Sequence, residues 1–304
     1  MTTVTLVIPS YGRAVDLGTA LDSALRQTEP FDEIIVVARV DDSETITTAQ
    51  GRGVTITTVS EAGVLAAMQA GARLANSEIV AFTDDDARLP TDHASRLRTY
   101  FDDPSIDGVG GRDVIYDQES LRATSLTTIV GQIRWYGRVV GNHHRGTGAV
   151  RPVFMLKGVN AAYRRSALAF PKGLRGEGAQ PHFEVALGSW IDSQLGTLLY
   201  DPSLQVTHHP AERLGDDQRT SPSTGAILDS AYNLARSLPR RYLAPRVAYV
   251  LLLGDANCPG MGRCLVAVLR GEHSVLARRR ASWRGTTMAW AHRAVPLTYE
   301  RCCE

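Results

Sequence analysis

The chain has 304 residues, 43% of them hydrophobic and 21% charged, which excludes disorder as its general state and allows one large domain or a domain with an appendage. The net charge of +1 conceals a segregation. Residues 236–304 hold twelve arginines against Asp255, Glu272, Glu300 and Glu304, so that segment carries +8 and the first 235 residues carry −7.

The first hundred residues alternate between two periods. VTLVIP (4–9) reads as a buried strand, and Leu17, Leu21, Ala24 and Leu25 then fall on one helix face. EIIVVA (33–38) and VTITTV (54–59) are further strands, the second followed by a helix with Val64, Met68, Gly71 and Ala75 on one stripe. EIVAF (78–82) is a fourth strand, and beyond it a helix carries His93, Leu97, Tyr100 and Phe101. Strand and helix alternating at these lengths predict right-handed βαβ crossovers and a mostly parallel sheet, an α/β fold. Residues 107–210 are less regular, with a strand in GVGGRDVIY, a glycine-rich loop NHHRGTGAVRP (142–152), and VFMLKGVNAAYRRSAL running from strand through turn to helix. Neither glycine cluster sits between a strand and a helix as a dinucleotide fingerprint requires.

From about residue 222 the pattern predicts helix to the end, with Leu243, Val247, Val250 and Leu251 on one face. The run VAYVLLL (247–253) is far shorter than the ~20 residues of a spanning helix. Basic and apolar together, this segment suits either a helical cover on the main domain or peripheral contact with a membrane or lipid phosphate. The four cysteines, Cys258, Cys264, Cys302 and Cys303, form no C-x-x-C pair, which argues against a disulfide framework or a zinc site. The opening MTTVTLVIPSYGR lacks the basic n-region of a secretory signal, so the cytoplasm is the expected location, with the inner face of the cell membrane as a candidate place of work.

In open parallel sheets ligands collect beyond the carboxyl ends of the strands. PSYGR (9–13), RVDD (39–42) and TDDDAR (83–88) all follow predicted strands and so meet at that edge. Asp84, Asp85 and Asp86 side by side repel one another and need compensation. A D-x-D pattern of hard oxygen ligands suits Mg²⁺ or Mn²⁺ bound together with a substrate diphosphate. The alternative is a solvated acidic cluster near a helix N-terminus, where negative charge is welcome.

The ordered blocks VIPSYGR, EIIVVARVDD, EIVAFTDDDARLP, GVGGRD, LKGVNAAYRR, GEGAQPHFEVAL and YDPSLQVTHHP resemble the family 2 glycosyltransferases of GT-A fold, especially bacterial members that build cell-surface polysaccharides. The resemblance covers about residues 3–215 and implies a GT-A domain over 1–220, with a nucleotide-sugar half at 1–106 and an acceptor half at 107–220, followed by a helical segment at 221–304. It implies transfer of a sugar from a nucleotide diphosphate to an acceptor hydroxyl with inversion. It assigns Pro9, Tyr11 and Arg13 to the nucleotide pocket and Asp84 and Asp86 to the D-x-D, with Asp85 between them counted on the nucleotide side. Asp86 is the expected direct metal ligand, and Asp84 reaches ribose or metal. The family's acidic pair directly after the second strand is displaced here by Ala38-Arg39-Val40, leaving Asp41 or Asp42 for the base.

Inverting transfer needs a base within reach of the attacking hydroxyl. GEGAQPHFEVAL offers Glu177 and Glu184, and Glu184 stands where the resemblance puts the catalytic carboxylate. A further metal ligand is expected at His208, with His209 as the alternative. His143 and His144 match an acceptor or lid block, Lys157 and Asn160 fall in a stretch that resembles the acceptor-side turn, and Trp135 suits either stacking on a sugar or core packing. The implied partners are a nucleotide-diphosphate sugar and a glycan or lipid-linked acceptor, with no nucleic acid; the oligomeric state is left open. Two other classes fit the acidic edge: a nucleotidyl or phosphoryl transferase, and a non-catalytic sugar-nucleotide binder. Phosphatases that use an aspartate nucleophile place it right after strand one, where this chain has PSYGR, and substrate-dependent release of nucleoside diphosphate separates an enzyme from a binder.

Overall fold

A computed structural model describes residues 2–117, 120–211, 222–256 and 258–302. The boundary expected at residue 220 lies outside the described residues. In chain order the elements of the first half are β1 (Val4–Pro9), α1 (Ala14–Leu25), β2 (Glu33–Arg39), α2 (Ser43–Gln50), β3 (Thr55–Val59), α3 (Val64–Leu74), β4 (Ile79–Phe82), β5 (Ala87–Arg88), α4 (His93–Phe101) and β6 (Gly108–Asp117). Then come β7 (Ser120–Leu121), β8 (Gln132–Ile133), β9 (Val139–Val140), β10 (Arg151–Val153), β11 (Ala161–Arg164), β12 (Ala169–Pro171), α5 (Phe183–Ser193) and β13 (Leu198–His208). The last part holds α6 (Thr224–Ser237), α7 (Leu243–Leu252), α8 (Met261–Leu269), α9 (Ser274–Ala291) and β14 (Tyr299–Arg301).

The main sheet runs β10-β13-β6-β11-β4-β1-β2-β3. β1, β2, β3 and β4 pair in parallel, as their apolar runs and intervening helices predict. β11 enters antiparallel between β4 and β6, and β13 lies parallel to β6. Only β10 and β11 oppose the other six strands along this path. The central strands are buried on both faces: Leu17, Leu21, Leu97 and Phe101 of α1 and α4 cover one side, and Leu65, Met68, Leu187 and Ile191 of α3 and α5 cover the other.

Two features of β13 place the site. Its register with β6 shifts between Asp201 and Gln205, a bulge that re-aims the end of the strand. Asn160 secures the bulge by donating from Nδ2 to the Leu204 carbonyl at 2.8 Å. Beyond it, His208 pairs with Ile115 on one side and with Ala87 of β5 on the other.

The C-terminal helices pack on the second half of the sheet domain. Leu234 and Leu238 join Met155 and Val185 in a shared apolar cluster, and α9 crosses α6 at Gly285, where a Cβ would stand 2.1 Å from the Leu228 carbonyl. Two details depart from the sequence reading. The chain is not helical to the end, because β14 pairs antiparallel with β12, and of the predicted α7 stripe only Val250 is buried, beside Arg246, while Leu243, Val247 and Leu251 are half-buried. The reason is local: Arg246 donates to the Gly137 carbonyl at 3.1 Å and faces Asp255 at 3.4 Å, so polar partners turn that side inward.

Candidate active site

The parallel topology brings the loops after β1 and β4 together, and the β5–β13 pairing closes the group with His208. Ser10 Oγ donates to Asp85 Oδ2 at 2.8 Å, and the Arg13 guanidinium donates to Asp85 Oδ1 at 3.1 Å. Arg13 also lies 3.9 Å from Asp86 Oδ2. The Ala211 amide donates to Asp86 Oδ2 at 2.9 Å. The other oxygen of Asp86 faces His208 Nε2 at 3.2 Å, yet neither of these buried atoms makes a hydrogen bond.

Behind His208 lies Asp113, a carboxylate with no exposed surface. It receives Lys157 Nζ and faces His208 Nδ1 at 3.4 Å. Asp113 and His208 are diagonal neighbours on adjacent strands, so they share one face of the sheet. Asp113 sits inside the quoted block GVGGRD, but pattern reading passes over it because an acid inside a strand usually points to water. Its sequence signal is the flanking GG and VIY, an apolar setting in which a lone acid needs a partner.

Charge and burial set the titration of this cluster. Burial pushes the Asp85 carboxyl up to about 7, outweighing Arg13. Burial and the neighbouring Asp86 also raise Asp84. Burial works against ionisation of Asp86 too, but the positive His208 holds its carboxyl below the usual range. Asp113 is held at about 2, since His208 and Lys157 outweigh its burial. His208 is pushed up to about 9, its two carboxylate neighbours overriding desolvation.

Asp84, Asp86 and His208 each direct a ligand atom to one place, all within 4.8 Å of one another. Ligand atoms around an octahedral Mg²⁺ at about 2.1 Å lie roughly 3–4 Å apart, so a small inward movement would complete the set. Asp86 Oδ1 and His208 Nε2, two buried atoms that have only their 3.2 Å ion pair with each other and no hydrogen bond elsewhere, are the observation that fits these residues to a divalent cation.

Glu184 stands apart from this cluster, in the first turn of α5. The turn before the helix holds Gln180 and His182 at φ 43° and 72°, left-handed conformations that cost non-glycine residues energy and mark functional turns. Glu184 lines a cavity of about 430 Å³ together with His143, His144, Lys157, Arg246 and Asp255, a size suited to a small-molecule group. Lys157 belongs to both places, reaching the cavity and Asp113. His143 is buried, with Nε2 3.0 Å from the Met155 carbonyl, and burial holds its imidazole down to about 4.

Other predicted residues have different surroundings. Asp42 caps α2 by accepting from the Thr45 amide at 3.1 Å, and it accepts from the Gly12 amide at 2.6 Å, so its oxygens shape the loop after β1. Asp41 faces outward beside Arg39 at 3.5 Å. The Arg39 guanidinium lies over the half-exposed Tyr11 ring at 5.2 Å, and Pro9 ends β1 beside Val37. Asn160 is buried in the turn before β11, its amide held by the Leu204 carbonyl as described. Trp135 lies at the tip of the β8–β9 hairpin, 78% exposed, and does not line the cavity.

The arrangement defines a class, the GT-A glycosyltransferase fold. A mannosyltransferase from Pyrobaculum calidifontis, solved with GDP-Man and Mn²⁺, superposes with a TM-score of 0.56 at 17% identity over 97% of this chain and 87% of that one. S. aureus TarS 1–349 gives 0.54 at 12% identity, and its complex with UDP-GlcNAc gives 0.56, each covering 92% of this chain and 90% of the other. No curated protein matches. The family model "Glycosyl transferase family 2" matches residues 5–169, more than half the chain, and the protein belongs to that family and is a glycosyltransferase.

Proposed function

We propose that this enzyme transfers a sugar, with inversion and metal dependence, from a nucleoside diphosphate to an acceptor hydroxyl in cell-surface glycan or glycolipid assembly. The observation that carries this reading is the convergence of Asp84, Asp86 and His208 at the carboxyl edge of a family 2 sheet. Those three residues would hold Mg²⁺ or Mn²⁺, which when bound neutralises charge on the leaving diphosphate. The complexes of the similar structures, with GDP-Man and Mn²⁺ in one and UDP-GlcNAc in another, support a nucleotide-sugar donor.

Residues of the chain do the rest. Ser10 and Arg13 fix Asp85 beside the cluster, with Pro9, Tyr11 and either Asp41 or Asp42 on the nucleotide side. Glu184 takes the proton of the acceptor hydroxyl as general base, and the cavity around it has room for the acceptor group. Asp113 and Lys157 span the distance between the His208 cluster and that cavity. Residues 1–220 form the transferase unit in this reading, and 221–304 form a basic helical unit in peripheral contact with the membrane from the cytoplasmic side.

Thermal-shift measurements with nucleoside diphosphates and their sugars, each with Mn²⁺, Mg²⁺ or chelator, test the donor site. A metal-dependent rise with one base, absent from Asp86→Ala, is expected, because ligand binding stabilises the folded state. Glu184→Gln should keep that rise while losing transfer by about a hundredfold or more. A metal-independent shift, or near-normal turnover in Glu184→Gln, would reassign the corresponding residue.

A further inference from the structure

The α7–α8 hairpin turns an apolar side outward. In α8 Cys264 is the buried side chain, while Met261, Leu265, Val266 and Leu269 are 55, 63, 48 and 79% exposed. Their spacing of i, i+4, i+5 and i+8 puts them on one face. Leu252 and Leu253 at the end of α7 are also exposed, and the Gly260 amide donates to the Leu253 carbonyl at 3.1 Å, joining the two exposed stretches. A helix on a water-soluble body normally turns the other way, with its apolar stripe to the core.

Charge identifies what covers this face. Arg263, Arg270, Arg278, Arg279, Arg280 and Arg284 accompany it, against the single acid Glu272 between residues 259 and 284; Arg263, Arg270, Arg278 and Arg280 are exposed. A second copy meeting the same face around a two-fold axis would bring these arginines against their own counterparts. An anionic lipid surface complements the apolar face and its basic rim at once. Among the described residues no helix is long and apolar enough to cross a membrane.

We infer that the outer face of α8, with the end of α7, seats on an anionic lipid surface and lies in the interface. The loop between those helices also contributes Asp255, Ala256 and Cys258 to the wall of the Glu184 cavity. Seating therefore sets the cavity beside the headgroup layer, where a lipid-linked acceptor presents its hydroxyl. This last step rests on the transferase reading; the docking itself stands on the patch and its charge.

Flotation of the full chain with phosphatidylcholine vesicles, alone or in equal mixture with phosphatidylglycerol, tests it. Binding to the anionic vesicles is expected, weakening as salt rises from about 0.1 M to about 1 M and the screening length falls from about 10 Å to about 3 Å. The double variant Leu265→Glu/Leu269→Glu should lower the bound fraction about tenfold or more, and Arg263→Gln/Arg270→Gln should remove the preference for anionic lipid. Both should keep the wild-type circular dichroism and the metal-dependent nucleotide shift, since none of these side chains lines the cavity or the acidic cluster. Failure of the wild type to float with either vesicle, or flotation unaltered in the leucine variant, would overturn the inference. So would a concentration-dependent dimer, abolished by the leucine variant, in a protein that does not float. Flotation as expected in a protein with no nucleotide shift would instead remove the proposed metal-dependent donor site and leave lipid docking in place.

Discussion

Asp113 shows how much of the site depends on a single side chain. A carboxylate sealed from water stays ionised only where cations hold it, and here Lys157 and His208 do so. In return it keeps His208 Nδ1 engaged and Nε2 turned toward Asp86, the orienting role that outer carboxylates have for metal-binding histidines. His208 remains protonated up to about 9. Its contribution to stability is therefore complete below its ordinary 6.5 and is lost as the pH rises through about 9. Metal binding runs in the opposite sense, because Nε2 must lose its proton before it can ligate. Mn²⁺ affinity should therefore rise with pH, about tenfold per unit between 7 and 9 for one displaced proton. The raised Asp84 carboxyl acts in the same direction. In Asp113→Asn the His208 imidazole has one carboxylate fewer, so the rise should finish at lower pH and the plateau affinity should drop about 10–100-fold. Calorimetric titration across pH, in buffers of different ionisation enthalpy, reads both the affinity and the protons released. An affinity flat from pH 7 to 9 would show that His208 is not a ligand.

At the level of elements, the end of β13 is aimed by its bulge, and the bulge depends on Gly111. A Cβ at that position would stand 1.7 Å from the Leu204 carbonyl and 2.7 Å from Asn160 Nδ2. The first of these is backbone and cannot rotate away. Gly111→Ala should therefore cost about 1–3 kcal/mol or more in stability, read as a lower denaturation midpoint, and Mn²⁺ binding should weaken with it because His208 loses its register. An unchanged midpoint would mean that the bulge yields freely. This dependence was not readable in the chain, whereas β1 to β4 were: β1, β2 and β4 are largely apolar runs and β3 is wholly β-branched, each followed by turn residues and a helical period. The aspartates after β4 were legible for the same reason: the strand end fixes where they stand. Asp42 illustrates the limit, since an acid after a strand can meet a ligand or cap the next helix, and only the Thr45 and Gly12 contacts decide between those uses. Likewise α8 has a readable apolar stripe, but periodicity gives the stripe and not its direction. β14 is three residues long and exists through its pairing with β12, a partner more than a hundred residues away.

For the whole molecule, the division of labour follows the layers. The acidic cluster is built by residues 10–13, 84–86, 113, 157 and 208, whereas the cavity around Glu184 borrows one wall from α6, α7 and the loop after α7. The negative charge of the first 235 residues and the positive charge of the rest attract these layers to one another, an attraction that salt screens. Arg246 is the most deeply engaged of the C-terminal cations, 7% exposed, bound to Gly137 from the β8–β9 hairpin and facing Asp255. It thus holds three separate segments in the cavity wall. Arg246→Ala should therefore raise the acceptor KM by about tenfold or more, because displacing a wall misplaces the substrate it positions. The metal-dependent nucleotide shift should remain, since Arg246 contributes nothing to the acidic cluster. Initial rates with acceptor varied at saturating donor, set beside thermal shifts with donor alone, separate the two effects. Equal loss of both would mean that the C-terminal layer supports the acidic cluster as well, and that the cavity and the cluster respond as one body.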